Sequence, residues 1–505
     1  MTPTTTIFLT FGVYMLLLLG IGVWADRRFG STYEGFLSAG RSLGAWVSAI
    51  SSAASSESGW VMLGLSGLGY KHGLAAYWAS LGCSLGFIFT AIFVIRQLRA
   101  SAARYDDILT LGDYLAARFG AGARALRSIS ATLITVFMLA YVVAQFTAAG
   151  KQMAGMNLLS YQTGVWMGAL IIGIYVLVGG YAAVCWTDLI QGLLMLAVLV
   201  AFPVYALVLA GGFSGIGAKL AEANLMHVWV GGQGMTWSAV GFALTYVGFG
   251  LGYPGMPHSV IRFITIRDDH EAKAAAKISA VYGTLALFGS ASLGIAGRAL
   301  FSPSLVTDPE KILPAFTATH FPPVISGMIL AAVSAAIMST ADSQLMLAAS
   351  SLTHDLWYRV LRRRPVSEKS MTWLTRGIIA ALTLVGLFMA LAKARVIDTL
   401  VLFAWGCLGA AFSPVIVLAL YWKRFNWAGA VASFIVGPVV IVVWQVAGLS
   451  KDLHGLIPGT ALSFLAAIVV TLMTPSASPP PTASPPTTAS ADPTAPAAST
   501  SPGLK

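Results

Sequence analysis

The sequence predicts an all-α integral membrane protein with thirteen transmembrane helices, a five-plus-five inverted-repeat core and two discontinuous helices. Three observations carry this. Of 505 residues, 57% are hydrophobic and only 10% are charged, where a soluble domain carries about 25% charged. Thirteen apolar stretches approach the roughly 20 residues that a helix needs to span hydrocarbon. Two of these contain residues that an intact, lipid-facing helix does not tolerate.

The stretches run over 5–25, 43–70, 75–97, 125–148, 162–184, 187–210, 238–263, 274–299, 323–350, 372–392, 397–422, 427–447 and 455–474. The first has neither a basic leader nor a small-residue cleavage site, so it reads as a helix rather than a signal peptide. With the N-terminus outside, 22 of the 30 Lys and Arg residues fall in cytoplasmic segments. That is the positive-inside bias, and it places the C-terminus in the cytoplasm of a cell with this chain in its inner membrane. The net charge of +11 is therefore explained by anionic headgroups and does not call for nucleic acid. Cys83, Cys185 and Cys407 lie in or beside spans without metal-ligand spacing and read as small buried hydrophobes.

The second span is the first anomaly. Residues 51–69 read SSAASSESGWVMLGLSGLG, and the first half carries hydroxyls, small residues and the carboxylate of Glu57. Uncompensated polar groups cost several kcal/mol each in hydrocarbon, so this face must look inward. Closely spaced Ser and Gly let such a helix open and offer carbonyl oxygens to a cation; a tight helix–helix contact is the plainer alternative. Arg41, at the entrance to this span, is a headgroup anchor or a gate. In the loop after the third span, Thr110 or Gly112 opens a short amphipathic surface helix. The fourth span and its exit carry Tyr141, Gln145 and Lys151, and Asp188 falls at the joint between the fifth and sixth.

The seventh span, TYVGFGLGYPGMPHSVIRF, is the second anomaly, because its glycines and two prolines break hydrogen bonding inside a membrane-length segment. Such backbone is tolerated at membrane depth only where it lines a cavity or is buried in protein. Spans two to six and seven to eleven each open on an interrupted helix, and the odd offset inverts one half against the other. The ninth span crowds Ser339, Thr340, Asp342 and Ser343 about one helical turn. Residues 1–474 thus form one membrane domain, and 475–505 are a Pro/Ser/Thr/Ala-rich cytoplasmic tail too polar to bury a core.

Sixteen of the 19 acids fall in loops or at span ends, which leaves Glu57, Asp188 and Asp342 within the membrane as functional candidates. A sodium ion is satisfied by hydroxyl and carbonyl oxygens, which the Ser339–Thr340 pair and opened carbonyls near Ala54 could supply. No metal cluster, nucleophile–base pair or phosphate-binding loop is present, so an enzyme is excluded and no cofactor is expected beyond the coupling ion.

Five segments, GRSLGAWVSAISSAASSESGW, GGYAAVCWTDLIQG, LGYPGMPHSVIRF, MSTADSQL and AWGCLGAAFSPVIVLALYWKR, together resemble the sodium:solute symporter family, nearest in pattern to its proline-transporting members. The resemblance implies a sodium site made of the carbonyls of Ala54, Glu57 and Ala336 and the hydroxyls of Ser339 and Thr340. It implies an ion-handling role for Asp188, which in two-sodium members works with oxygens at the positions of Ser339, Asp342 and Ser343. Solute contacts would fall to Trp60, Tyr141, Phe249, Tyr253 and Pro257, with Ser58 and Gly59 close by. The chain departs from the proline pattern in having Ser56 where that pattern has an aspartate, with the acid one place on at Glu57, and Phe249 in place of a tryptophan. The implied function is sodium-driven import of a small solute, proline first, with another amino acid or a carboxylate as the alternative. A symporter-like sensor ranks below these because no kinase or receiver module follows residue 474.

Overall fold

The computed structural model describes residues 1–475 except 30–31, 106–107, 121, 231–233, 363, 393–396 and 452. The tail at 476–505 lies outside the described residues. Among the described residues, ten helices are long and apolar enough to cross a membrane, and Tyr161–Leu177 is a shorter apolar piece. The only bridge of strand type among the described residues joins Leu43 to Ile266.

The chain opens with α1 (Pro3–Phe29) and a short α2 (Tyr33–Ser38). The second span is α3 (Ala45–Ser56), a break, a π turn (Trp60–Leu65) and α4 (Ser66–His72). The third is α5 (Tyr77–Phe89) running through a π turn into α6 (Ile95–Ala102). A surface helix, α7 (Leu111–Phe119), starts from a capping box in which Thr110 and Asp113 satisfy each other's backbone amides. Two long helices follow, α8 (Ala123–Gly155) and α9 (Tyr161–Leu209), and then α10 (Gly212–Glu222).

The joint inside α9 is at Gly180, whose φ of 60° suits glycine and whose missing Cβ leaves room for the Phe36 ring. Asp188 therefore lies inside the second half of α9 rather than at the joint the sequence suggested. A pair of consecutive glycines, not the acid, marked that position.

The seventh span is α11 (Trp237–Gly248), a tight 3₁₀ stretch (Phe249–Gly255) and α12 (Pro257–Ile264), with Met256 extended between the last two. The chain continues through α13 (Asp269–Leu300), α14 (Ile312–His320) and α15 (Pro323–Ser350), which passes into a π-helical end (Ser351–Arg362). The last four helices are α16 (Glu368–Ala392), α17 (Ile397–Tyr421), α18 (Trp427–Val446) and α19 (Leu456–Met473).

Small residues set the packing. Gly255 lies against the backbone of α17, and a Cβ there would stand 2.0 Å from the Ser413 nitrogen. The freed carbonyls of the 3₁₀ stretch are capped from α17: Ser413 Oγ donates to Gly252 O at 3.0 Å and Trp405 Nε1 to Phe249 O at 3.3 Å. This is how irregular backbone is afforded inside a membrane. The two interrupted spans are also tied at one end, where Leu43 N donates to Thr265 O and Arg267 N donates to Leu43 O.

The surface helix is anchored by charge. Arg127 Nη1 lies 2.6 Å from Asp113 Oδ1 and 3.1 Å from Asp355 Oδ1, and His354 Nε2 lies 3.0 Å from Asp113 Oδ2. Burial pushes the Asp113 carboxyl up, but His354 and Arg127 more than offset it and hold it well below the usual carboxylate range. Sequence placement of Asp113, Glu310 and Asp355 in loops or at span ends did not show that all three are buried.

Candidate cation and solute site

α3 ends where α8 grips the chain. The Glu57 amide still donates to Ala53 O at 2.8 Å, and then Ser58 takes φ +20°, a strained value for a residue with a side chain. Ser58 Oγ accepts from Trp60 N at 3.0 Å and from Tyr141 OH at 3.2 Å, and Gly59 N donates to Gln145 Oε1 at 3.0 Å. Side chains from α8 thus replace the helical partners that the break removes.

The buried middle of α15 faces the last turns of α3. Ser339 Oγ reaches Ala54 O at 3.2 Å and Ala336 O at 3.3 Å, and Thr340 Oγ1 donates to Ser55 O at 3.0 Å. Neutral hydroxyls and carbonyls gathered away from water suit a hard monovalent cation, as oxygen cages do for hard ions generally. The carbonyls of Ala54 and Ala336 and the hydroxyl of Ser339 are together; Thr340 engages Ser55 rather than Glu57. Both carboxylate oxygens of Glu57 are buried without a hydrogen-bond partner among the described residues.

One turn further along lies a charged cluster. Asp188 Oδ2 accepts from Ser51 Oγ at 2.6 Å, Ser55 Oγ at 3.3 Å and Arg262 Nη2 at 2.9 Å. Ser343 Oγ lies 2.9 Å from Ser55 Oγ and 3.2 Å from Asp342 Oδ1. Arg262 is 1% exposed and Asp188 fully buried. Arg262 belongs to the 22 basic residues of the cytoplasmic side by the positive-inside pattern, yet it points back along α12 into the protein. The signal that could have found it is the spacing: it stands four residues after His258, within the helix that Pro257 starts.

Beside the break is a narrow cavity lined by Ser56, Trp60, Cys83, Tyr141, Phe249, Tyr253, Val401, Leu402 and Trp405. Four of the seven residues expected at a solute line it: Trp60, Tyr141, Phe249 and Tyr253. Ser58 and Gly59 shape the break behind it instead, and Pro257 starts α12 outside the lining. Trp60 meets Phe249 edge-on, and Tyr253 meets Trp405 edge-on with ring centres 4.7 Å apart. Trp405, Cys83 and the Val401–Leu402 pair were missed, because nothing in an apolar helix separates cavity lining from packing. Ser56, where the proline pattern has an acid, bonds His258 Nε2 at 3.2 Å and Ser259 Oγ at 2.9 Å. A second narrow cavity, between α1, α8, α9 and α15, offers only Gln152 and Ser334 as polar lining.

The family model described as "Sodium:solute symporter family" matches residues 36–437. This chain belongs to that family. Among symporter-family relatives, the osmoregulated proline transporter OpuE of Bacillus subtilis is 33% identical over 93% of this chain and 95% of its own length. The sodium/proline symporter of Escherichia coli is 32% identical over 95% of each chain. A solved substrate-bound, outward-open Na⁺-coupled sialic acid symporter superposes with a TM-score of 0.76 at 19% identity, covering 94% of this chain and 99% of that one, which shows a shared fold. Family members are transporters and not enzymes, and this symporter is a multi-pass membrane protein.

Proposed function

We propose that the chain is a sodium-coupled symporter that imports proline. The observation that carries this is the juxtaposition of two features at one helix break: a neutral oxygen cluster from Ala54, Ala336 and Ser339, and an aromatic cavity lined by Trp60, Tyr141, Phe249 and Tyr253. Relatives at 32–34% identity that are named as proline transporters support the choice of solute. The cation site proper is Ala54, Glu57, Ala336, Ser339 and Thr340, with Asp188, Asp342 and Ser343 handling ions beside it.

The architecture proposed is thirteen crossings. The ten long apolar helices, the Tyr161–Leu177 piece and the two interrupted spans support that number. The second to sixth crossings repeat, inverted, as the seventh to eleventh, and the paired breaks support this. The N-terminus lies outside and the C-terminus in the cytoplasm, as the distribution of Lys and Arg supports.

Sodium bridges α3 and α15 by giving their paired oxygens a common partner. That fixes the break at Glu57 to Gly59, and with it Trp60 and the Tyr141–Ser58 contact that borders the cavity. A conformer that binds both ligands better is then favoured by their combined differential affinity. One charge falling through about 100 mV yields about 2.3 kcal/mol, and a roughly tenfold sodium gradient adds about 1.4 kcal/mol. Together these sustain accumulation of a few hundredfold per coupled ion.

The test is uptake of a radiolabelled panel of amino acids and carboxylates into proteoliposomes, with and without an inward sodium gradient. Sodium-dependent accumulation of proline ahead of the others is expected. Uptake indifferent to sodium would overturn the symport assignment, and preference for another solute would overturn the choice of proline.

A further inference from the structure

A third narrow cavity, between α2, α9, α12 and α15, follows α15 from Ser343 to Ser350, about 10 Å along the helix. Arg262 stands at the Ser343 end, where its Nη2 donates to Ser343 Oγ at 2.5 Å. Thr110, the residue that caps α7, stands at the other. Hydroxyls of Ser343, Ser350 and Thr110 are thus set along one lane that starts beside the ion cluster and stops at the surface helix.

What stops it is charged and buried. Thr110 Oγ1 donates to Asp355 Oδ1 at 2.7 Å, and Arg127 joins that carboxylate to Asp113, the other half of the α7 capping box. Thr110 is 2% exposed and Asp113 3%. The first turn of α7 sits directly on Asp355: a Cβ at Gly112 would stand 2.5 Å from Asp355 Cγ, so only glycine allows this seat. Three separate segments, α7, α8 and the π-helical end of α15, therefore meet at one knot of charge. Such a closure differs from an apolar one. Buried ion pairs hold firmly while matched, yet their net contribution is small because water solvates the separated charges well. A seal made of them shuts tightly and opens at little cost once water enters.

We propose that α7 is the plug at the cytoplasmic end of the transport route, latched by Arg127 between Asp113 and Asp355. The proposal rests on the symport reading and the topology above. The oxygen shell of Ala54, Ala336 and Ser339 is assembled while this end is shut, so sodium favours the plugged form. Release inward then requires the first turn of α7 to leave Asp355, which opens the lane past Ser350.

The experiment reads the lane with a cysteine. S350C, in the full chain, is exposed to a membrane-impermeant maleimide in inside-out and in right-side-out vesicles. The parent, whose Cys83, Cys185 and Cys407 are all buried, sets the background. S350C is expected to label from the cytoplasmic face only, severalfold more slowly with sodium present. S350C/R127Q and S350C/G112A are expected to label about tenfold faster, the change that losing one charge-assisted hydrogen bond makes in an opening equilibrium. G112A keeps every charge and decides alone should R127Q fail to insert. Acceleration in either inserted variant supports the proposal. No labelling of S350C, labelling from the outer face, a rate indifferent to sodium, or no acceleration in the inserted variants overturns it. Proline flux in the parent that ignores sodium fails the symport reading, whereas a sodium-driven parent with an unchanged S350C rate fails the plug alone.

Discussion

Replacing Ser339 by alanine removes one hydroxyl from the proposed cation shell and leaves the backbone of α15 in place. The structure sets the scale of the effect. Ser339 Oγ stands 3.2 Å from Ala54 O and 3.3 Å from Ala336 O, fully buried, so solvent cannot substitute for it freely. A hydrogen-bond-strength contact to a charged group contributes about 1.5–3 kcal/mol, and 1.4 kcal/mol is about tenfold in affinity. S339A should therefore raise the sodium concentration for half-maximal uptake by roughly ten- to a hundredfold. The maximal rate at saturating sodium should change far less, because the aromatic cavity is untouched. The assay is initial-rate proline uptake in proteoliposomes across a sodium series. Ser326, at the start of the same helix, donates to Phe321 O at 3.2 Å and lies far from the shell in sequence, so S326A is the matched control and should leave the sodium curve unchanged. A half-saturation for S339A within twofold of wild type would refute the assignment of this hydroxyl to the ion.

The remaining predictions concern the supports of the site. R127M leaves Asp113 and Asp355 buried beside His354 without their shared guanidinium, and should destabilise the protein by about 3–5 kcal/mol, read as a lowered melting temperature in detergent. Because the Asp113 carboxyl is held below its unfolded value, its stabilisation is complete above about pH 4 and is lost as pH falls through the folded value. D113N should flatten that acid limb, and an unaltered acid limb would remove Asp113 from the account. G255A places a Cβ 2.0 Å from Ser413 N and 2.4 Å from Phe412 C, so α17 must shift, at a cost of about 1–3 kcal/mol or more; both the melting temperature and uptake should fall. W405F removes the bond that Trp405 Nε1 donates to the Phe249 carbonyl at 3.3 Å, and should raise half-saturation for proline roughly tenfold while leaving that for sodium in place.

Sequence alone exposed what departs from hydrocarbon logic. Glu57, Asp188 and Asp342 stood out because charge inside an apolar stretch is costly, and the two breaks stood out because Ser, Gly and Pro cannot sustain a lipid-facing helix. Both breaks are present, at Glu57 to Gly59 and at Met256. What stayed hidden were relations across the chain. Arg262 read as a span-end charge because its partner Asp188 is 74 residues away, and only the fold brings them to 2.9 Å. Trp405 and Cys83 read as ordinary apolar filling, since a cavity is a property of several helices and leaves no mark on any one of them. Ser58 and Gly59 read as lying close to the solute, and the fold adds their partners on α8: the Ser58 hydroxyl accepts from Tyr141 OH and the Gly59 amide donates to Gln145.

The two peptide hydrogen bonds that pin Leu43 to Thr265 and Arg267 deserve a mechanical reading. They lash together the ends of the second and seventh crossings, so neither can tilt without dragging the other. Flexibility at the breaks is therefore not spent as independent wobble: both rods swing from one shared knot, as the blades of shears do from their rivet. That fastening acts together with the bonds from Ser56 to His258 and Ser259, which join the same two crossings deeper in the protein.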